Sequence, residues 1–282
     1  MPTYAEIINR MKCAAAKHYD EREAHTLALW ATEALTGADR TRLLVDARAE
    51  VGQIDMTEVE RFERELAMAR PIQYIIGMAE FCDLRFAVGE GVLVPRPETE
   101  ELVRWVADDN PTARKVLDIG TGSGAIAVSL AKLFPTADVA AMDISEVALD
   151  YAARNAAMNG VKVSVTKGDA LGDWWRKFAE LDVVVSNPPY VPESDRAAMH
   201  RNVREFEPEL ALFVPDDDLL RFYRAIAQGA MHALRAGGAL YFEIYENAAE
   251  QMIEMLQSQG WIDIELRRDF NDKNRMIRCR KS

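Results

Sequence analysis

The spacing of apolar residues along the chain changes near residue 70. Before that point, apolar side chains recur every three or four residues with charged residues between them, as in Tyr4-Ile7-Ile8-Met11. This spacing is typical of amphipathic helices, which bury one face and expose the other. Residues 1–72 are therefore predicted to form a small N-terminal bundle of helices.

Beyond Lys115, short apolar runs alternate with segments of helical spacing. The runs predict strands at residues 116–119, 139–143, 163–165, 182–186, 239–244, 262–266 and 276–280. Such alternation is typical of an α/β protein with a mostly parallel, Rossmann-like sheet that has helices on both faces. No helical segment separates the last two runs, so we expect these two strands to pair antiparallel at one edge of the sheet.

Residues 73–98 connect these two parts. Within them, residues 80–88 and 92–94 are predicted to pair as a β-hairpin that turns at residues 89–91, where two glycines lie. Pro95-Arg96-Pro97 then forms a stiff connector, because a proline ring fixes its own φ angle. A helix is predicted from Thr99 to about residue 106, so residues 99–282 form the second and larger domain.

The composition is that of an ordinary globular protein, with 49% hydrophobic and 28% charged residues among 282. No apolar run approaches the ~18 residues of a membrane span, and no secretory signal is expected at the first residues. The net charge of −12 disfavours binding to bare nucleic acid. The three cysteines are far apart, so we expect a cytoplasmic protein with no metal site.

A polar motif directly follows the predicted strand at residues 182–186. The motif is Asn187-Pro188-Pro189-Tyr190, and its prolines end the strand because they cannot donate to a ladder. Ligands of open α/β sheets bind at the carboxyl ends of the strands. The Asn187 carboxamide, the rigid Pro188 carbonyl and the Tyr190 ring are suited to receive a planar NH2 group.

A glycine-rich turn follows the strand at residues 116–119. Gly120, Gly122 and Gly124 allow the backbone to approach a ligand closely at a helix N-terminus. This spacing also satisfies the fingerprint of dinucleotide-binding proteins. The glycines alone therefore do not distinguish a nicotinamide cofactor from S-adenosylmethionine.

Acidic residues at three successive strands favour S-adenosylmethionine. Asp118 can meet the cationic amino acid part of this molecule, and Asp143 can bind ribose hydroxyls. Asp169 can accept a hydrogen bond from an adenine amino group, with Trp174 or Trp175 available to cover the base.

These motifs together resemble a known family. Residues 116–124 with Asp143 look like the class I methyltransferase signature, and residues 187–190 match the motif of enzymes that methylate planar NH2 groups on adenine, guanine or glutamine. Nearly the whole chain resembles the peptide chain release factor N5-glutamine methyltransferases. The matching segments are residues 70–77, 81, 94–100, 118–126, 187–191 and 205–212. The chain departs from the family pattern at residues 216–219 and 243–247, where a usual glycine is absent.

The resemblance implies transfer of a methyl group from S-adenosyl-L-methionine to N5 of the glutamine in the Gly-Gly-Gln motif of class I release factors. The product of the donor is S-adenosyl-L-homocysteine. The resemblance also implies a class I methyltransferase sheet and an N-terminal bundle that recognises the protein substrate. We expect a monomer that binds no metal, does not associate with a membrane and does not contact nucleic acid directly.

Three sets of site residues accompany this resemblance. The residues expected to be catalytic are Asn187, Pro188 and Tyr190. Those expected to bind the cofactor are Asp118, Gly120, Thr121, Gly122, Gly124, Asp143, Ile144, Asp169, Trp174 and Asn187. Those expected to bind the substrate are Arg96, Glu98, Asn187, Pro188, Pro189 and Tyr190.

Alternative functions stay open at this point. Within the same chemistry, they are glutamine methylation of a ribosomal protein and amino methylation of a nucleic acid base. A nicotinamide-dependent oxidoreductase would use the glycine turn but leave the motif at residues 187–190 unexplained. A binding module without turnover would retain S-adenosylmethionine and transfer nothing.

Overall fold

Two packing units divide the chain in the computed structural model, which describes residues 1–282. The first unit contains Met1–Met78 together with Met199–Phe206, and the second contains Ala79–Ala198 and Glu207–Ser282. The sequence does not predict that residues 199–206 pack with the N-terminal helices. They do so through aromatic and polar contacts, which include the Tyr19 and His200 rings, whose centroids are 4.8 Å apart.

The first unit is helical, as its apolar spacing predicts. Its helices in the N-terminal part are α1 (Tyr4–Ala15), α2 (Glu21–Thr36), α3 (Arg40–Val45), α4 (Met56–Leu66) and α5 (Ile72–Ile76). A threonine or aspartate precedes each of the first four helices, and its side chain accepts a hydrogen bond from a backbone N–H of the first turn. Such caps satisfy donors that the helix itself leaves free. The caps therefore explain where these helices begin.

The rest of the chain contains the strands and six more helices. In chain order the elements are β1 (Met78–Phe81), β2 (Leu84–Ala87), α6 (Pro97–Asp109), β3 (Lys115–Ile119), α7 (Ala125–Leu133), β4 (Asp138–Asp143), α8 (Glu146–Met158), β5 (Ser164–Lys167), β6 (Leu181–Ser186), β7 (Val191–Pro192), α9 (Arg201–Phe206), β8 (Phe213–Val214), α10 (Arg221–Ala233), β9 (Leu234–Glu243), α11 (Ala249–Ser258), β10 (Ile262–Arg268) and β11 (Asn274–Arg280). Of these helices, α9 belongs to the first unit. None of the helices is both long and apolar enough to cross a membrane.

Seven strands form the central sheet of the second unit, in the order β10-β11-β9-β6-β3-β4-β5. The strands from β9 to β5 pair in parallel, which confirms the predicted α/β class. The last two strands pair antiparallel at one edge of the sheet, as predicted. The antiparallel strand is β11, which lies between β9 and β10, so that β10 forms the edge. The burial pattern explains this order, because β11 buries Met276, Ile277 and Cys279 while β10 buries no residue.

The hairpin of residues 78–87 also differs from its prediction. Strands β1 and β2 turn at Cys82 and Asp83, whose φ angles are 49° and 59°. Two successive residues with positive φ form the turn that suits the twist of a two-residue hairpin. Residue 88, predicted to end the first strand, and residues 89–94, predicted to form the turn and the second strand, are not part of a strand.

Asn155 of α8 joins three parts of the second unit and is fully buried. Its Oδ1 accepts a hydrogen bond from the backbone N–H of Ala87 at 2.7 Å. Its Nδ2 donates to the carbonyl oxygens of Ala87 and Ser123, at 3.0 and 2.7 Å. The side chain therefore fixes the end of β2 and the glycine-rich turn to the same helix.

We predict that Asn155→Ala lowers the free energy of unfolding by about 2–3 kcal/mol, because it leaves buried backbone groups without partners. Urea denaturation followed by circular dichroism measures this change. The control is Arg154→Ala on the exposed side of the same helix, for which a change within about 0.5 kcal/mol is expected. Equal losses for the two variants would contradict the structural role of Asn155.

Candidate active site

A cavity of about 430 Å³ opens at the carboxyl ends of the parallel strands. The strand order reverses between β3 and β6, which is where open α/β sheets bind ligands. The cavity lining includes residues that follow four neighbouring strands: Gly120 and Gly122, Asp143 and Ile144, Gly168 and Asp169, and Asn187, Pro188 and Pro189. Eight of the predicted site residues therefore lie around one cavity.

The turn after β3 uses three glycines with positive φ angles. The φ angles of Gly120, Gly122 and Gly124 are 72°, 53° and 83°. Residues that carry a Cβ atom rarely adopt such positive φ angles. A Cβ atom at Gly124 would lie 2.9 Å from the Cα atom of Ala152, so the start of α7 can approach α8 this closely only because residue 124 is a glycine. Gly120 and Gly122 border the cavity, whereas Gly124 supports the turn from behind.

Asp143 fixes the turn to the end of β4. Its Oδ2 accepts a hydrogen bond from the backbone N–H of Gly122, and its Oδ1 accepts one from that of Ser145, both at 2.9 Å. Burial raises the pKa of Asp143 above its ordinary value, and these hydrogen bonds act in the opposite direction. The carboxylate borders the cavity and has further lone pairs with which it can accept hydroxyl donors.

Asp118, predicted to meet a cationic ligand group, does not line the cavity. It is fully buried, and its Oδ2 accepts hydrogen bonds from Thr121 Oγ1 at 2.6 Å and from the backbone N–H of Ala127 at 3.2 Å. Thr121 is buried as well and does not line the cavity. Both residues therefore stabilise the glycine-rich turn from inside.

Of the residues predicted to bind the adenine base, Asp169 lines the cavity and the two tryptophans do not. Asp169 is exposed at the cavity, and one of its carboxylate oxygens accepts from the backbone N–H of Leu171 at 2.8 Å. Trp174 is 2% exposed in the hydrophobic core and does not line the cavity. It packs so closely on α10 that a Cβ atom at Gly229 would lie 2.6 Å from its ring. Trp175 stacks on His232 and does not line the cavity either.

Apolar side chains other than the two tryptophans line the cavity. They include Ile144, Leu171 and Phe222. The predicted position of Ile144 is therefore consistent with the structure. The other two residues lie in loop or helix-start segments whose sequence has no feature that marks them as ligand-binding.

The motif at residues 187–190 lies directly beside the glycine-rich turn. Asn187, Pro188 and Pro189 line the cavity, and the strand that carries them is tied to β3 by a hydrogen bond from Ser186 Oγ to the carbonyl oxygen of Ile119, at 2.7 Å. No donor of the chain bonds to Asn187 Oδ1 or to the Pro188 carbonyl oxygen. Two acceptors are therefore free at the cavity.

Tyr190 was predicted to lie on the cavity wall, but its side chain lies elsewhere. Its hydroxyl donates to Glu243 Oε1 at 3.0 Å, and its ring stacks on that of Tyr245 with centroids 6.4 Å apart. It does not line the cavity. In this structure Tyr190 therefore supports the motif from outside the cavity.

Arg96 and Glu98, predicted to bind substrate, do not line the cavity. Arg96 Nη2 forms an ion pair with Glu207 Oε1 at 2.6 Å, and Glu207 also accepts from the backbone N–H of Val94 at 3.3 Å. Burial raises the pKa of Glu207, while the charge of Arg96 lowers it. The pair fixes the cavity wall at residues 91–93 to the segment before Pro208, so Arg96 supports the cavity indirectly.

Two polar residues behind Asn187 were not predicted from the sequence. Asn187 Nδ2 donates to Thr99 Oγ1 at 3.4 Å, and Thr99 Oγ1 donates to Glu243 Oε2 at 2.5 Å. Both Thr99 and Glu243 are buried. A glutamate inside the apolar run of residues 239–244 is a signal that could have identified one of them, since buried charges need partners.

The titration of Asp118 yields a prediction for stability. Burial raises its pKa from 3.8 to about 7, so the folded protein holds a proton over a pH range in which the unfolded chain has released it. This group contributes stability that is present below about pH 4 and is lost as the pH rises through about 7. We therefore predict that Asp118→Asn, which is neutral at every pH, gains stability relative to the wild type as the pH rises.

Urea denaturation of both proteins at several pH values between about 5 and 8 measures this difference. The control is Asp138→Asn, a substitution at the exposed start of β4. Its stability should follow that of the wild type across the range. Parallel curves for Asp118→Asn and the wild type would contradict the raised pKa.

Comparisons with known proteins identify the family. The Methyltransferase small domain matches residues 98–209, which include the glycine-rich turn and the motif at Asn187. A release factor glutamine methyltransferase from Bacteroides thetaiotaomicron is 42% identical over 259 residues, covering 92% of this chain and 93% of its own. One from Flavobacterium psychrophilum is 39% identical over 270 residues, covering 94% of each chain.

A solved methyltransferase from Pyrococcus furiosus shares the fold. It has a TM-score of 0.50 and 18% identity, and the alignment covers 71% of this chain and 89% of that one. The curated relatives match at far higher identity and over nearly the full length of the protein. The chain therefore belongs to the release factor glutamine methyltransferase family.

Proposed function

We propose that this protein transfers a methyl group from S-adenosylmethionine to N5 of the glutamine in the Gly-Gly-Gln motif of class I peptide chain release factors. The observation that carries the proposal is the pair of free acceptors, Asn187 Oδ1 and the Pro188 carbonyl oxygen, at a cavity bordered by the glycine-rich turn. A glutamine amide has two N–H hydrogens, and each of the two acceptors can bind one of them. The names of the relatives supply the protein substrate.

The cavity suits S-adenosylmethionine in size and lining. Drug-sized ligands occupy pockets of roughly 300–1,000 Å³, and this one measures about 430 Å³. Cβ atoms are absent at Gly120 and Gly122, where the backbone itself borders the cavity. Asp143 has lone pairs for hydroxyl groups, and Asp169 has one carboxylate oxygen free for an amino group. When bound, S-adenosylmethionine supplies an electrophilic methyl group on a sulfonium.

The residues at the end of β6 would activate the amide by positioning it. An amide nitrogen is a weak nucleophile because its lone pair is delocalised into the carbonyl group. Asn187 Oδ1 and the Pro188 carbonyl oxygen would each accept one N–H, which favours a pyramidal nitrogen with its lone pair directed towards the methyl group. The N–C bond forms as the S–C bond breaks, and the nitrogen then releases one proton to water. Catalysis of this kind depends on orientation and fixed dipoles.

A base amino group is the second candidate substrate, because it also presents two N–H hydrogens to the same acceptors. The net charge of −12 opposes association with a polyanion and favours a protein substrate. We further propose that the protein works as a monomer in the cytoplasm without nucleic acid, and that the first unit recognises the release factor. A ribosomal protein glutamine is the remaining alternative within the same chemistry.

The role of Asp143 in cofactor binding is testable with two acids of the same strand. We predict that Asp143→Ala lowers affinity for S-adenosylmethionine roughly tenfold or more, because it removes the acceptor of two backbone donors and of the ribose. Isothermal titration calorimetry measures the dissociation constant. Asp138→Ala, at the opposite and exposed end of β4, should bind as the wild type does. Equal affinities of the two variants for S-adenosylmethionine would contradict a role of Asp143 in binding it.

The proposed reaction is tested by methyl transfer from labelled S-adenosylmethionine to a purified class I release factor. Label is expected on the wild-type factor and absent from a factor whose Gly-Gly-Gln glutamine is replaced by alanine. We predict that Asn187→Ala lowers kcat roughly 100-fold or more while S-adenosylmethionine affinity changes little, since the lost contacts act on the transition state.

The matched control is Asn271→Ala, which changes an exposed asparagine of the same protein. It should retain full activity. Full activity of Asn187→Ala would contradict the proposed mechanism. Label on neither release factor, with S-adenosylmethionine binding intact, would direct the search to ribosomal proteins and RNA.

A further inference from the structure

Behind the Asn187 carboxamide lies a chain of hydrogen bonds that ends at a buried carboxylate. We infer that Thr99 and Glu243 are positioning residues that orient the Asn187 carboxamide, so that its oxygen and not its NH2 group faces the cavity. This inference rests on the proposed function, in which Asn187 Oδ1 accepts a substrate N–H. Neither Thr99 nor Glu243 lines the cavity, so both would act through Asn187.

The series of hydrogen bonds begins at the carboxylate of Glu243, at the end of β9. Its two oxygens accept hydrogen bonds from different hydroxyls, Oε2 from Thr99 Oγ1 at 2.5 Å and Oε1 from Tyr190 at 3.0 Å. The glutamate is 1% exposed, so water does not compete for these oxygens. An ionised carboxylate can only accept hydrogen bonds. With Glu243 ionised, both hydroxyl hydrogens are therefore directed towards it.

The second link is the hydroxyl of Thr99. A hydroxyl has one hydrogen and two acceptor lone pairs, and in Thr99 the hydrogen is used in the bond to Glu243. Towards Asn187, Thr99 Oγ1 can then act only as an acceptor. The group of Asn187 that faces it must be a donor, and Nδ2 lies 3.4 Å away. A rotation of the carboxamide by 180° would place Oδ1 against the lone pairs of Oγ1.

The orientation of Asn187 follows from these two links. With Nδ2 held by Thr99, Oδ1 has no partner in the chain and is free to accept at the cavity. The reversed carboxamide would present two hydrogens to a substrate NH2 group, and it could not accept from it. Burial raises the pKa of Glu243, while the hydrogen bonds from Thr99 and Tyr190 and the charge of Arg275 act in the opposite direction and favour the ionised carboxylate.

The test separates orientation from structural support by using substitutions that keep shape but change polarity. Thr99→Val removes the hydroxyl with little change in volume, and Thr99→Ser restores it. Each variant is assayed for methyl transfer to a purified release factor, for the KM of S-adenosylmethionine and for the thermal midpoint. We expect Thr99→Val to lower kcat about tenfold or more with KM within about twofold. Thr99→Ser should recover activity to within about threefold of the wild type.

A double-mutant cycle tests whether Glu243 acts through Thr99. Glu243→Gln introduces an NH2 group that can donate to Thr99, so kcat should fall in the wild-type background. In the Thr99→Val background the same substitution should cause little further loss, since the link to Asn187 is already absent. Independent, multiplicative losses would overturn the assignment of Glu243. Wild-type activity in Thr99→Val, or equal losses in Thr99→Val and Thr99→Ser, would overturn that of Thr99.

An NMR measurement reads the orientation of the carboxamide in the wild-type protein itself. In protein labelled with ¹⁵N-asparagine, the two Nδ2 hydrogens of Asn187 should show nuclear Overhauser effects to the Thr99 methyl group, and loss of the signals in Asn187→Asp assigns them. Absence of these effects would overturn the inferred orientation. If the wild type transfers no methyl group to any release factor, the proposed function fails, whereas the NMR result still decides the orientation.

Discussion

Parallel pairing of β4, β3 and β6 is the constraint on which the site depends. Ile119 at the end of β3 pairs with Met142 on one side and with Ser186 on the other, so three strands end at one level. The turn after β3 is fixed to the same level, because the backbone N–H groups of Gly120 and Thr121 both donate to the Met142 carbonyl oxygen. A shift of one residue between β3 and β6 would displace the glycine-rich turn relative to Asn187, and a shift between β3 and β4 would displace it relative to Asp143. The relative positions of the site residues are therefore set by the pairing of the strands in the sheet.

Buried acids in this protein mostly hold backbone and neighbouring side chains, and few of them face the cavity. Asp118 supports the glycine-rich turn, Glu207 fixes the wall at residues 91–93, and Glu243 holds Thr99 and Tyr190. Of the buried or half-buried acids described, Asp143 borders the cavity and also accepts two backbone N–H groups. Each of the first three costs desolvation, which its hydrogen bonds offset. Their positions explain why polar residues near a site need not touch its ligand.

The sequence predicted the parts of this arrangement that follow from local periodicity and chain order. The alternation after Lys115 sufficed for the parallel sheet, and the carboxyl-end rule brought Gly120, Asp143 and Asn187 together at one cavity. Side-chain direction could not be predicted, because it depends on packing between distant segments. Trp174 is buried against α10 for that reason. Likewise, the contact between Thr99 and Glu243 joins residues 144 positions apart and has no local signature.

Two loops beside the motif fix the segment that follows it. In the first, Tyr245 stacks on the Tyr190 ring and donates its hydroxyl to Asp195 Oδ2 at 2.9 Å. In the second, Asp216 Oδ1 accepts from the backbone N–H of Ser194 at 3.0 Å. These are the two loops in which the sequence lacks an expected glycine, and a glycine has no side chain with which to make such contacts. The segment after the motif is therefore held at two points, and Tyr190 contacts both the Glu243 carboxylate and the Tyr245 ring.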